Sequence, residues 1–91
     1  MSETETRQLV ERYLTAFNAA DAEGMLACLG DDVAHDINEG GREIGKDAFR
    51  VFLGMMARHY REELADIQIM VAPGGVRAAA EFTDRREGKE R

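Results

Sequence analysis

The sequence is poor in the residues that stabilise disulfide-bonded or metal-bound small domains. It has one cysteine, one proline and no tryptophan in 91 residues. A single cysteine excludes an internal disulfide and a cysteine-rich metal site, so we expect Cys28 to be a small buried core residue rather than a nucleophile. No apolar run is long enough to span a bilayer, and the acidic N-terminal segment lacks the apolar centre of a signal peptide. These absences predict a cytoplasmic protein.

Positive charge is also scarce, because 12 Lys and Arg residues face 18 Asp and Glu residues, for a net charge of −6. Nucleic acids and anionic membranes both require a clustered basic surface, so we expect neither as a partner. His35, Asp36 and His59 do not have the spacing of a metal site, and we expect no metal. A domain of this size buries only about 60–65% of its unfolded surface, so a homodimer interface or a bound ligand would stabilise it.

The periodicity of apolar residues predicts three helices. The first is expected over Glu5–Ala19, preceded by a capping-box sequence that begins at Ser2. A shorter second helix is expected to begin at the N-cap Asp21 and to end at Gly30. The third is expected over Lys46–Tyr60, with an apolar stripe that includes Phe49, Phe52, Leu53 and Met56.

Alternating segments predict four strands. Short strands are expected over Val33–Ile37 and Arg42–Ile44, separated by a turn at residues 38–41. Two longer strands, Leu64–Val71 and Val76–Thr83, are expected to form a hairpin around the turn at residues 72–75. The last eight residues, 84–91, are charged except for one glycine, and we expect a disordered tail or a frayed extension of the last strand.

The order of the elements predicts an α+β fold in which helices cover one face of a sheet. Three motifs point further. The stretch Glu11–Asp21 contains an N-x-x-D turn, Leu29–Val33 has the form L-x-D-D-V, and Gly41–Phe49 has the form G-x-x-x-G-K-D-A-F. Together they resemble SnoaL-like proteins of the nuclear transport factor two-like superfamily. The segment Ala34–Gly41 is most similar to the ketosteroid-isomerase-related subgroup.

This resemblance covers about residues 7–83 and implies a cone-shaped, curved antiparallel sheet covered by the three helices. Domains of the family continue with further strands, so the resemblance implies that residues 1–83 form a single domain that is incomplete at its C-terminus, followed by the charged tail. It also implies a small apolar molecule bound in the cone. No cofactor is implied, because the chemistry of the isomerases in the family is proton transfer by side chains.

The resemblance suggests three catalytic residues. Tyr13 lies in R-Y-L, where the isomerases have R-Y-I with a tyrosine that donates a hydrogen bond to the enolate. Asp36 is the nearest carboxylate to the position of the base, but an ungapped count places Ile37 there, and a one-residue offset reverses the face of a strand. His35 shares the face of Val33 and Ile37 and is an alternative general base, because an imidazole titrates near neutral pH. Its other interpretation is a core histidine.

We expect apolar side chains to line the cone, and the candidates for substrate binding are Phe17, Val33, Ile37, Phe52 and Met56. Two functions remain open on this basis. One is a ketosteroid-isomerase-like protein that binds a small apolar molecule and transfers a proton. The other is a non-catalytic ligand-binding or dimerisation module with the same fold.

Overall fold

The structure is a computed structural model and describes residues 1–37 and 40–88. It contains three helices and four strands, in the order expected. They are α1 (Glu3–Asn18), α2 (Ala22–Leu26), β1 (Ala34–Asp36), β2 (Arg42–Ile44), α3 (Lys46–His59), β3 (Tyr60–Val71) and β4 (Ala78–Gly88). The α+β class is confirmed, while two parts of the sequence analysis, residues 38–39 of the first turn and residues 89–91 of the tail, lie outside the described residues.

Local capping interactions define the starts of the first two helices. Ser2 Oγ accepts a hydrogen bond from the Glu5 amide at 3.0 Å, and Glu5 Oε1 accepts one from the Ser2 amide at 2.9 Å. The capping box is therefore confirmed. Asp21 Oδ1 accepts a hydrogen bond from the Gly24 amide at 2.9 Å, which confirms the N-cap of α2. Helix α2 ends at Leu26, earlier than expected.

The strands form two antiparallel pairs. In the short pair, His35 of β1 lies opposite Glu43 of β2. In the long pair, β3 and β4 run together from Val71 opposite Ala78 to Tyr60 opposite Gly88. This confirms the predicted hairpin, although β3 begins immediately after α3, four residues before the expected start.

A bulge divides β3 into two halves. The pairing register shifts between Ala65 and Gln68, and Asp66 has a φ of 54°. The extra residue changes the parity of the strand, so that Glu62 and Leu64 are covered in the first half and Ile67, Ile69 and Val71 in the second. Both halves therefore present their less exposed side chains on one side of the hairpin, towards the helices.

Helix α1 is attached along the hairpin by hydrogen bonds from its side chains to backbone groups. The Asn18 side chain accepts from the Leu64 amide at 2.7 Å and donates to the Leu64 carbonyl at 3.0 Å. Arg7 donates to the Ile69 carbonyl at 2.9 Å, and the buried Thr6 hydroxyl donates to the Gly75 carbonyl at 2.6 Å. These contacts fix the position of α1 from the first half of β3 to the hairpin turn.

The core lies where the three helices meet. It is formed by Ala16, Met25, Leu26 and Phe49, with Tyr13, Phe17, Leu29, Phe52 and Leu53 packed around it. Leu26 is only 2% exposed, and full burial of such a side chain stabilises the fold by about 1.5–3 kcal/mol. Cys28 is half-buried beside this core, and its Sγ donates to the Gly24 carbonyl at 3.5 Å.

Residues 84–88 continue β4, which agrees with the expected alternative of an extension of the last strand rather than with a disordered tail. Charged side chains across the hairpin provide the physical reason. Arg85 lies 3.5 Å from Glu63, and Arg86 lies 3.3 Å from Glu62. Opposite charges at facing positions stabilise a strand pair that has no apolar pattern.

None of the helices in residues 1–37 and 40–88 combines the length and apolar character needed to cross a membrane. Within the same residues, no group of three or more His, Cys, Asp or Glu side chains is arranged to hold a metal ion.

Candidate functional site

An apolar groove lies where the end of α1, the start of α2, the end of α3 and the start of β3 meet. Its volume is about 260 Å³. Its apolar wall consists of Phe17, Met25, Leu53, Met56 and Tyr60. The volume is slightly below the range of about 300–1,000 Å³ of typical ligand sites, so the groove suits a small molecule.

The junction of α3 and β3 creates one side of this groove. Tyr60 has extended backbone angles (φ −137°, ψ 149°) directly after the last helical residue, His59. The chain therefore turns from helix to strand without a loop. As a result, the last apolar residues of α3 and the first residues of β3 face the same space.

Three polar residues, Asn18, Arg61 and Glu62, also line the groove. Asn18 is already occupied by its two hydrogen bonds to the Leu64 backbone. Glu62 is of greater chemical interest, because its side chain is only 13% exposed and lies 3.3 Å from Arg86. The guanidinium of Arg86 also lies over the Tyr60 ring, 4.9 Å from its centroid.

The surroundings of Glu62 favour its neutral form. Burial and the neighbouring carboxyl group of Asp84 raise the pKa of Glu62, and the Arg86 guanidinium only partly opposes this. A glutamate with a raised pKa keeps its proton to a higher pH than an exposed one. It can therefore donate a hydrogen bond to a ligand, or exchange a proton with it, in a pH range where an ordinary glutamate cannot.

A second cavity, of about 340 Å³, lies at the open end of the hairpin, opposite its turn. Every residue that lines it is charged: Arg61, Glu63, Arg85, Arg86 and Glu87. Because its lining carries charges of both signs, this cavity is poorly suited to an apolar molecule.

His35 lies outside the apolar groove, against two aromatic rings of α3. Its ring centroid is 4.8 Å from that of Phe49 and 4.6 Å from that of Phe52. Its Nδ1 is buried and has no hydrogen-bond partner among the residues that the structure describes. Buried polar atoms are rarely left without a partner, so the Nδ1 atom of His35 lacks a hydrogen bond that such a nitrogen usually makes.

Tyr13 packs against the core, and the residues that line the apolar groove do not include it. Burial of its hydroxyl, with a smaller contribution from nearby Cys28, raises the pKa of Tyr13. The phenol is therefore held in its neutral form, which can donate a hydrogen bond.

Asp36 lies at the surface, on the opposite side of β1 from the half-buried His35. Its carboxylate accepts two hydrogen bonds from Arg42, at 2.6 and 3.1 Å. Hydrogen bonding and charge from Arg42 lower the pKa of Asp36. A carboxylate stabilised in this way is a weaker base than an ordinary aspartate.

The structure thus separates the residues that the sequence analysis grouped together. Phe17 and Met56 line the groove, while Phe52 packs between the core and His35. Val33 immediately precedes β1 and Ile37 immediately follows it. Both are half-buried, and neither lines the groove.

Sequence reasoning missed Tyr60 and Glu62, which both line the groove. It placed Tyr60 at the end of the third helix, treated residues 61–63 as a connection and began the strand at Leu64. A signal was present, because Glu62 and Leu64 have the spacing of neighbours on one face of a strand.

The raised pKa of Glu62 predicts a pH dependence of stability. A group with a raised pKa contributes stability that is present at low pH and is lost as the pH rises through its folded value. We therefore expect Glu62→Gln to become more stable relative to the wild type as the pH rises from about 4, the ordinary range of glutamate, towards neutrality. Urea unfolding at a series of pH values measures this difference, and a difference that stays constant or shrinks would contradict it.

Residues 10–91 match the model of the SnoaL-like domain. No curated protein matches the chain.

Several solved structures are similar. A proposed polyketide cyclase from Xanthomonas campestris pv. campestris is 44% identical, with a TM-score of 0.90 over 92% of this chain and 62% of its own. Another from Pseudomonas putida KT2440 is 50% identical, with a TM-score of 0.87 over 97% of this chain and 64% of its own. An LEH-like epoxide hydrolase from M. tuberculosis is 26% identical, with a TM-score of 0.75 over 94% of this chain and 63% of its own.

The chain therefore spans a little under two thirds of the length of these structures. The family match covers most of the chain, and the same α+β arrangement recurs in the similar structures. This chain belongs to the SnoaL-like domain family.

Proposed function

We propose that this domain binds a small apolar molecule in the groove between the ends of α1 and α3. The observation that carries the proposal is the composition of the groove wall, which combines Phe17, Leu53, Met56 and Tyr60 with the carboxyl group of Glu62. A largely apolar surface with a few polar groups is typical of small-molecule sites, where the apolar part supplies affinity and the polar groups supply orientation.

The comparisons support the same class of ligand. All three of the similar structures described above carry the names of enzymes that act on small molecules, a polyketide in two cases and an epoxide in the third. None of the proteins named above is called a ketosteroid isomerase, so the support is for small-molecule binding in general.

Two neighbouring methionines of α3 allow a matched test of the groove. Met56 lines the groove, whereas Met55 is 41% exposed and does not line it. We expect Met56→Lys to weaken binding of the neutral fluorescent probe phenylnaphthylamine about tenfold or more, because the ligand must then displace water from a charge.

Met55→Lys adds the same charge on the same helix and should leave the affinity of the probe unchanged. Fluorescence titration measures both variants, and circular dichroism checks that each is folded. Absence of binding to the wild type, or equal losses in the two variants, would reject the groove as the ligand site.

A second candidate function is proton transfer at His35, the reaction of the ketosteroid-isomerase-like hypothesis. The specific observation in its favour is the buried Nδ1 without a partner among the described residues, next to Phe52. Tyr13, with its raised pKa, would serve as the hydrogen-bond donor. The surface position and lowered pKa of Asp36 favour His35 over Asp36 as the base.

The two histidines of the chain separate these functions. With a β,γ-unsaturated ketosteroid as substrate, the isomerase hypothesis predicts formation of the conjugated enone. The ultraviolet absorbance of the enone measures the rate of its formation. The rate should fall about a hundredfold or more in His35→Ala, as expected for loss of a general base, and should be unchanged in His59→Ala. A wild-type protein that binds the groove probe without converting the ketosteroid would favour the non-catalytic module instead.

A further inference from the structure

Glu62 brings a carboxyl group to the apolar groove of the proposed function. Its side chain is only 13% exposed, and the groove wall around it includes Phe17, Met56 and Tyr60. A carboxylate is costly in such surroundings unless an opposite charge or a bound proton compensates it. The charged groups that face Glu62 therefore decide which molecules the groove can accept.

Strand β4 supplies the charged groups that face Glu62. Arg86 lies directly opposite Glu62 in the hairpin, and its Nη2 is 3.3 Å from Glu62 Oε2. Asp84 lies on the same face two residues earlier, and its Oδ2 is 3.7 Å from the same Arg86 nitrogen. Two carboxyl groups thus share one guanidinium, so that the fully ionised cluster is one positive charge short.

The other elements around the groove do not supply the missing charge. The residues that line it from the helices and from the turn between α1 and α2 are uncharged, and Asn18 is the polar one among them. Arg61 of β3 also lines the groove, but it is exposed, has the opposite parity to Glu62 and faces Glu87 across the hairpin. Within residues 1–37 and 40–88, the ion pair of Glu62 is made with Arg86 alone.

A proton compensates the cluster when no ligand is bound. Burial and the Asp84 carboxyl group raise the pKa of Glu62 and so favour its protonated form. A positively charged ligand would compensate the cluster in a second way, because it would pair with the ionised carboxylate. Proton and cation therefore compete for the same carboxyl group.

The groove restricts the kind of cation that can bind. Its wall is mostly apolar and its volume is about 260 Å³, so the cation must carry a compact apolar body. The net charge of the chain, −6, attracts cations and repels anions. A small aliphatic amine meets these requirements, because it joins a single positive charge to a hydrocarbon body.

We propose that the groove selects small amines with an apolar body, and that Glu62 binds their ammonium group as a carboxylate. This inference rests on the proposed function, because it requires the groove to be the ligand site. The hydrocarbon body packs on Phe17 and Met56, and Asp84 keeps the Arg86 guanidinium as its partner. At a pH where Glu62 is protonated in the free protein, binding releases that proton to the solvent.

Two naphthalene compounds of nearly equal size test this selection. Naphthylmethylamine is a cation at neutral pH, whereas naphthylmethanol has the same ring and no charge. We expect the amine to bind the 91-residue protein about tenfold or more tightly than the alcohol at neutral pH, because it adds a charge-assisted pair with Glu62. Isothermal titration calorimetry measures both affinities.

Two neighbouring glutamates provide the matched variants. Glu62→Gln keeps the size of the side chain but removes its negative charge, so the preference for the amine should disappear while the alcohol still binds. Glu63→Gln is the control, because Glu63 is 64% exposed and does not line the groove, and it should keep the preference. Circular dichroism checks that each variant is folded.

Proton release is a second measurement of the same contact. Titrations in two buffers of different ionisation enthalpy count the protons released at each pH. In the acid range where Glu62 gains its proton, the amine should release protons from the wild type, and its affinity should fall as the pH is lowered. The alcohol should release none, and neither compound should release protons from Glu62→Gln.

The possible results separate this inference from the proposed function. A wild type that binds both compounds equally would overturn the selection of amines and leave the groove as a ligand site. A preference for the amine that persists in Glu62→Gln, or that is also lost in Glu63→Gln, would overturn it as well. Binding of neither compound would reject the proposed function together with the inference.

Discussion

The double hydrogen bond between the Asn18 side chain and the Leu64 backbone holds the helical part of the molecule against the hairpin. It joins the last residue of α1 to the first half of β3. The two residues are 46 positions apart in the sequence, so this is a long-range tertiary contact. Each backbone group of Leu64 that lost its partner would cost up to about 1–3 kcal/mol. Thr6 secures the other end of the same helix at the Gly75 carbonyl. The orientation of α1 on the hairpin is thus set by polar contacts at its two ends and by apolar packing between them.

The candidate site follows from this arrangement. Because α1 ends at β3 and α3 runs directly into β3, the apolar ends of both helices meet beside the first residues of the strand. Glu62 is held there among apolar side chains and near Asp84, which is why its pKa is raised. His35 lies against Phe49 and Phe52 and does not line the groove. The proposed ligand groove and the candidate base His35 therefore lie at two separate places within the described part of the chain.

Local patterns in the sequence predicted the elements whose signals are themselves local. The capping box at Ser2, the N-cap at Asp21 and the hairpin turn all depend on residues within a few positions, and the structure confirms them. The start of β3 was missed, and the end of β4 was left open between disorder and extension, because the stability of both comes from pairs such as Glu63 with Arg85, which are 22 positions apart. The bulge at Asp66 was missed for a related reason, since it changes which residues face the helices without any glycine to mark it. The environment of Glu62 likewise depends on long-range neighbours, and its role in the groove could not be read from local sequence.

Amide hydrogen exchange at Leu64 tests most directly whether the contact with Asn18 secures the fold. If the contact holds α1 on the hairpin, the Leu64 amide should be among the slowest to exchange and should require nearly complete unfolding to do so. In Asn18→Ala the same amide should lose most of its protection. A Leu64 amide in the wild type that exchanges as fast as those of exposed loops, or one whose protection is unchanged in Asn18→Ala, would contradict the account.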